Sequence, residues 1–317
     1  MKNKKILFIC GTLNQTTMMY AVAQHLQEFD LFYTPFYSDG FIQTLAEAGF
    51  MDFCSLGGQA RRATEKFLKN NNLQVDFKGV SNDYDLVVTC SDLILPKNIQ
   101  NKAIIHIQEG MTDPENLIYY MVKTLRLPRY FANTSMMGLS NGYNQFCVLS
   151  EGWKQIFINK GVDADRIAVT GVPNFDNVAT YKVNDFPHND YVLAATSALR
   201  ETFKFENRSQ FIKKAMSIAN GRKVIFKLHP NEKKDRAVRE IKKYAPGAII
   251  YTEGNTNHMI ANCHTLITRY SSVVMIAAAM GKKVYSDFAP DELERIIPLQ
   301  NGGKSAQNIA ELGRSYL

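Results

Sequence analysis

The chain has 317 residues, 45% of them hydrophobic, enough for two domains of ordinary size and incompatible with a disordered or fibrous protein. Lys and Arg outnumber Asp and Glu by 37 to 30, a formal charge of +7 with a pI near 9.0. That balance favours anionic partners (phosphates, nucleotides, acidic glycans or an anionic membrane face) without choosing among them.

Taken in chain order, strand-like runs alternate with helix-like segments. "KKILFICG" predicts a first strand, followed by a helix from about Gln15 to Gln27; "DLVVTCSDLIL", "KAIIHIQEG" and "NQFCVLS" predict further strands. "GWKQIFINKG" predicts an amphipathic helix ending on a glycine cap, and "RIAVTGVP" closes the first half. The polar, aperiodic stretch "NFDNVATYKVNDFPHND" reads as a linker. Alternation then restarts with "YVLAATS", a helix around Gln210 to Ala219, "KVIFKL", a helix from about Glu232 to Tyr244, "AIIYTEG", a short helix, "TLITRYS", a helix from Ser272 to Met280, and "KKVYSDF". Two such βαβ series predict an α/β protein of two Rossmann-like domains facing a cleft. The expected boundaries are 1–175 for an N-terminal domain, 176–190 for the linker and 191–317 for a C-terminal domain, with the final segment "AQNIAELGRSYL" able to cross back to the first.

The five cysteines, Cys10, Cys54, Cys90, Cys147 and Cys263, are scattered singly with no CxxC spacing, so reduced core thiols are expected. "MKNKKILFIC" has too short an apolar run for a signal sequence, and no stretch approaches the ~18 apolar residues of a spanning helix. A cytoplasmic protein is expected, with the inner face of the membrane within its reach. His258 and His264 flank Cys263 without zinc spacing, and no DxD pair is present, so no metal is expected.

Ligands of parallel sheets bind at the C-terminal ends of strands, and there the second half carries polar groups. "TSALRE" brings Thr196 and Arg200, "KLHPNE" brings Lys227 and His229, and "TRYSSVV" places Ser271 and Ser272 at the opening of an apolar helix. Helix-terminal N–H groups and hydroxyls make a phosphate site that Lys227, His229 and Arg200 can complete. Plain N-capping by the serines and a structural histidine are the competing readings. In the first half, Gly11, Thr12 and Asn14 follow the first strand, where they can touch a ligand; capping of the first helix by Asn14 or Thr16 is the more economical account. Residues 117–144 interrupt the alternation with a basic, aromatic, methionine-rich insertion including Tyr119, Tyr120, Lys123, Arg126, Arg129, Tyr130 and Phe131. It either receives a glycan or an anionic membrane, or packs its aromatics inward and leaves its cations solvated. The dispersed charge predicts no nucleic-acid partner.

Lys-x-His-Pro followed about forty residues later by Ile-Thr-x-Tyr-Ser-Ser resembles the C-terminal domain of CDP-glycerol glycerophosphotransferases, as "VLAATSALRE" resembles that domain's opening strand and turn. The His-Pro and Ser-Ser pairs are similar to those of bacterial sialyl- and capsule-polysaccharide transferases. "SEGWKQIFINKGVDADRIAVTGVPNFDNV" resembles the segment entering the hinge of UDP-N-acetylglucosamine 2-epimerases. All share the two-Rossmann GT-B architecture. The sequence departs from the glycerophosphotransferase pattern by Arg269 in place of an Asp, and from many nucleotide-sugar enzymes by the acid-free run "VVMIAAAMG".

The resemblance implies a transferase that moves a sugar or polyol phosphate from a CMP-, CDP- or UDP-activated donor, used as substrate without a cofactor, to a glycan or lipid-linked acceptor of the cell envelope. "HIQEGMTD" resembles the acidic Asp/Glu-Gly element of the sialyl and capsule transferases, which makes Glu109, beside Gly110, the expected base and Asp113 the fallback; a loop carboxylate capping a turn is the alternative. His106 is expected to pack in the core, and His229 to contact donor phosphate or protonate the leaving group. A 2-epimerase-like enzyme and a non-catalytic nucleotide-binding protein are the alternative functions.

Overall fold

Eleven apolar runs become strands in the computed structural model, which describes residues 3–50, 56–202 and 205–317. The first six are β1 (Lys5–Ile9), β2 (Asp30–Thr34), β3 (Leu86–Thr89), β4 (Ala103–Ile107), β5 (Gln145–Val148) and β6 (Ile167–Val169). They form one wholly parallel sheet in the order β2-β1-β3-β4-β5-β6. The other five are β7 (Val192–Ala195), β8 (Val224–Lys227), β9 (Ile249–Tyr251), β10 (Thr265–Ile267) and β11 (Lys283–Tyr285), again all parallel, in the order β11-β10-β7-β8-β9. Strands covered by helices on both faces carry near-continuous apolar sequence; β3, β7 and β8 are buried along their whole length. The expected pair of Rossmann-like sheets is therefore the observed architecture. β2 was not expected as a strand, because its run opens on Asp30 and leads straight into Pro35.

The helices of the first half are α1 (Leu13–Ala23), α2 (Gly40–Glu47), α3 (Gly58–Asn70), α4 (Leu117–Leu125) and α5 (Glu151–Lys160). α5 ends as expected on Gly161, whose φ of +107° is a conformation glycine adopts without a Cβ penalty. The rest are α6 (Arg208–Ala219), α7 (Lys234–Tyr244), α8 (Thr256–Asn262), α9 (Val273–Ala279), α10 (Pro290–Arg295) and α11 (Ser305–Arg314). α7 starts two residues later than Glu232, which has another task.

The chain divides into two compact units, one running to Asp176 and including Leu299–Leu317, the other Asn177–Pro298. Residues 299–317, placed in the C-terminal domain by the boundaries above, belong to the first unit. The reason is a set of bonds at Asp176: its carbonyl accepts from Asn301 N and Gly302 N (3.1 and 3.2 Å), and its carboxylate accepts from Ser305 N at 2.8 Å, an anion at the start of α11. α11 then buries Ala306, Ile309, Ala310 and Gly313 and packs against α1. Cys10, Cys90, Cys147 and Cys263 are buried free thiols, as expected, and burial pushes Cys147 up to about 12; Cys54 lies outside the described residues.

Candidate functional site

In the first sheet the strand order reverses between β1 and β3, and the loops leaving these strands and β4 meet around Glu109. Its carboxylate accepts from Gln15 Nε2 at 2.6 Å and Thr12 Oγ1 at 3.1 Å, with a longer contact from Asn14 Nδ2 at 3.5 Å. Cys90, just past β3, registers the same charge: burial first, then the Glu109 carboxylate, pushes its thiol well above the ordinary value. The loop carrying Glu109 is tied down by buried Gln108, which donates to the Gly110 carbonyl (2.9 Å) and accepts from Leu149 N (3.1 Å).

Gln15 was missed as a site residue, and it orients the whole corner. Its Oε1 accepts from Gly11 N and Thr12 N (3.0 and 3.1 Å), which leaves Nε2 as the end that points at Glu109. Gly11 has to be glycine for this: a Cβ there would collide with Gln15 Oε1 and sit 2.9 Å from the Tyr37 ring. The signal was present as Thr12-x-x-Gln15, a capping box, and Thr12 rather than Asn14 or Thr16 caps α1. Asn14 instead accepts from Asn174 Nδ2 at 2.7 Å, which turns its own amide N–H groups toward Glu109. Asp113 is paired with Thr134, whose hydroxyl donates to its carboxylate at 2.9 Å. His106 is fully buried and stacks on Phe146 at 4.3 Å, as expected of a core residue.

In the second sheet the order reverses between β7 and β10, so Thr196, at the end of β7, lies at the switch point. Thr196 Oγ1 is bonded to Glu232 Oε2 and accepts from His229 N at 3.1 Å; Glu232 Oε2 also accepts from His229 N at 2.9 Å. Glu232 Oε1 takes Arg208 Nη2 at 2.6 Å, and Arg208 in turn reaches Glu206 Oε2 (2.8 Å) and the Ser197 carbonyl (3.0 Å). These three charged side chains are at most 2% exposed. In this cluster Glu206 Oε1, Arg208 Nη1 and Ser197 Oγ are buried polar atoms without a partner.

His229 Nδ1 accepts from Asn231 N at 3.2 Å, so a neutral ring carries its proton on Nε2. Burial, ahead of the opposing pull of Glu232, holds the imidazole below its ordinary 6.5. Lys227 is buried, with its ammonium donating to the Leu228 carbonyl at 2.9 Å; burial and then Lys234 lower its pKa.

Arg200, expected at donor phosphate, forms a two-pronged pair with Glu240, both N–O distances 2.8 Å, because α7 brings that carboxylate beneath it. Ser272 sits immediately before α9 in helical backbone geometry and its hydroxyl makes no capping bond. Arg269, which stands where the resembling family has an Asp, is paired with Asp287 at 2.8 Å. The expected residues thus form two groups, Gly11, Asn14, Glu109 and Gly110 in the first unit and Thr196, Lys227 and His229 in the second, with Ser271 and Ser272 following β10. Glu206, Arg208 and Glu232 were missed. For Glu232 the signal was its place three residues after His229, the reach by which a helix N3 glutamate returns to a backbone N–H; Arg208 left no local trace.

No protein-family model matches the chain, and no curated protein matches it. Solved structures do. A UDP-GlcNAc 2-epimerase from Neisseria meningitidis bound to UDP-GlcNAc matches at TM-score 0.60 and 12% identity, over 97% of this chain and 99% of the other. S. aureus MnaA, in complex with UDP, matches at 0.60 and 13%, over 98% and 87%. A variant of the wall teichoic acid polymerase TagF with CDPG matches at 0.54 and 11%, over 99% and 89%. At such identities the likeness is one of fold, and what it establishes is that this chain has the GT-B-like architecture of two Rossmann-like domains, each a parallel sheet flanked by helices.

Proposed function

We propose that the chain is a transferase that moves a sugar or polyol phosphate from a nucleotide-activated donor to a cell-envelope or capsule glycan acceptor, with Glu109 as base. The observation that carries this reading is the Glu109 carboxylate, held by Gln15 and Thr12 at the end of β4. A carboxylate fixed in orientation can take the proton of an acceptor hydroxyl as that oxygen attacks the donor. The bond to the nucleotide phosphate breaks and its electron pair stays on the leaving nucleotide. Donors that meet this charge stabilise the transition state. In this reading they are the Nε2–H of His229, the ammonium of Lys227 and the hydroxyls of Thr196, Ser271 and Ser272. Burial holds His229 below its ordinary 6.5, so its part in this reading is the hydrogen bond from Nε2–H.

A second reading, an enzyme acting on UDP-GlcNAc in the manner of a 2-epimerase, is favoured by the slightly higher TM-scores of the epimerase structures, 0.56–0.60 against 0.52–0.54 for TagF. One experiment separates these readings and the non-catalytic one. The protein is incubated with UDP-GlcNAc, CDP-glycerol and CMP-activated sugars, with and without glycan acceptors. Thermal shift is followed for binding, and nucleotide release and C2 inversion for turnover. Transfer predicts acceptor-dependent nucleotide release, and a Glu109→Gln variant that keeps its donor-induced thermal shift while turnover falls on the order of 10²-fold. C2 inversion of UDP-GlcNAc without an acceptor selects the epimerase reading, and stabilisation without any turnover selects the binding protein.

A further inference from the structure

α4 is anchored by one face and bare on the other. Tyr119 and Val122 join Ala132 and Met136 in a small core against which Leu93 and Leu139 pack, and that contact holds the helix to its unit. On the opposite side Leu117, Met121 and Leu125 recur at four-residue spacing with Ile118 beside them, so they share a face. They are 76%, 48%, 62% and 52% exposed. Leu127 and Phe131, in the turn and 3-10 segment that follow, are exposed as well, and so is Tyr120. A run of this kind exceeds the scattered apolar side chains of an ordinary surface.

Residues 117–131 also contain Lys123, Arg126 and Arg129 and no acid. Lys123 donates to the Tyr119 hydroxyl and the Lys160 carbonyl, and Arg129 to the Asp92 carbonyl, while the one acid beside the stripe, Glu115, accepts from the Tyr120 hydroxyl at 3.2 Å; three cations against one acid leave residues 115–131 net positive. Arg126 is exposed at the end of the helix.

We propose that this face of α4, with the turn after it, lies in the interface of an anionic lipid bilayer. The bilayer supplies an apolar medium for the leucine stripe together with negative headgroups for the cations, and Tyr120 and Phe131 suit the boundary between them. A two-fold contact between copies of the chain would satisfy only the apolar part, since it would set two net-positive segments against one another. A helix of nine residues is far too short to cross a membrane, and among the described residues no helix is long and apolar enough to do so. The contact is therefore one in which the helix lies along the surface. It does not rest on the transferase reading, because lipid binding needs no donor.

The test is co-sedimentation of the full chain with vesicles of phosphatidylcholine, with and without about 30% phosphatidylglycerol. Binding is expected on the anionic vesicles, weakening with salt. It should be at least ~10-fold weaker on neutral vesicles, and on anionic ones for a Leu117→Ser/Met121→Ser/Leu125→Ser variant. Arg126→Glu should weaken it about 5-fold or more, roughly the contribution of one cation near the surface. Leu117→Trp provides a readout that does not depend on the triple variant folding: its fluorescence should shift to the blue on anionic vesicles, whereas the native Trp153 is already buried. Failure of the parent protein to bind anionic vesicles overturns the proposal, as does equal binding by the triple variant or an unshifted Leu117→Trp. A concentration-dependent dimer that the triple variant dissolves, without vesicle binding, would assign the face to a second copy instead.

Discussion

Glu232→Gln should destabilise the second unit without touching any exposed group. The native carboxylate is fully buried and accepts from Arg208 Nη2, His229 N and the Thr196 hydroxyl. Breaking a buried ion pair by removing one partner costs about 3–5 kcal/mol, because the surviving charge is left in low dielectric. Here Arg208 keeps Glu206 at 2.8 Å, so its charge stays partly compensated and the lower end applies. Against that, the amide has only one oxygen for the two ends at which donors converge, so either Arg208 Nη2 or His229 N loses its Glu232 acceptor, at about 1–3 kcal/mol. A loss of ~3 kcal/mol in a unit of this size corresponds to a fall in Tm on the order of 10 °C. Because two units need not unfold together, the unfolding of the second is followed through amide exchange in β7 and β8, which should speed up together with the loss of midpoint. Arg208→Met combined with Glu232→Gln should cost less than the sum of the two changes, since the pair is coupled. A Glu232→Gln protein whose second unit melts within about 2 °C of the parent would refute the account of this cluster as a buried structural clamp on the His229 loop.

Gly11→Ala forces a Cβ onto Gln15 Oε1. The displaced amide leaves two backbone N–H groups unpaired and withdraws the Nε2 donor from Glu109, so stability should fall by about 1–3 kcal/mol. Turnover should fall with donor affinity retained, as read by thermal melting and steady-state kinetics. His106→Phe tests the acid limb of stability. Burial holds His106 below its ordinary 6.5, so the unfolded chain takes up the proton first. Stability is then present above 6.5 and lost as pH falls through the folded value, with a slope of up to about 1.4 kcal/mol per pH unit. Phenylalanine keeps the stack on Phe146 and removes the proton. Urea midpoints at about pH 7.5 and 5.5 should therefore lie closer together than in the parent, with a residue of slope from His229, which shifts in the same direction.

The sheets were legible in the sequence because a parallel strand covered on both faces must be apolar at every position, so "KILFI", "LVVT" and "VIFK" announce themselves without neighbours. The polar turns that follow them announce themselves too, which is why Glu109, Thr196 and His229 could be singled out at strand ends. What those side chains do was decided by which strands lie side by side, and local sequence does not encode that order. Arg200 reads from sequence as a phosphate ligand, and its pairing with Glu240, forty residues away on α7, is visible only in the fold. Arg208 and Glu232 look like ordinary solvated charges until β7 and β8 are paired and the two meet under the His229 loop. α11, amphipathic and C-terminal, can be read as part of the second domain; Asp176 draws it to the first, because an anion and a free carbonyl there meet backbone N–H groups of residues 301–305. Apolar burial depends on residue type alone and survives in one dimension, whereas a charge takes its role from a partner, and the partner is supplied by the tertiary fold.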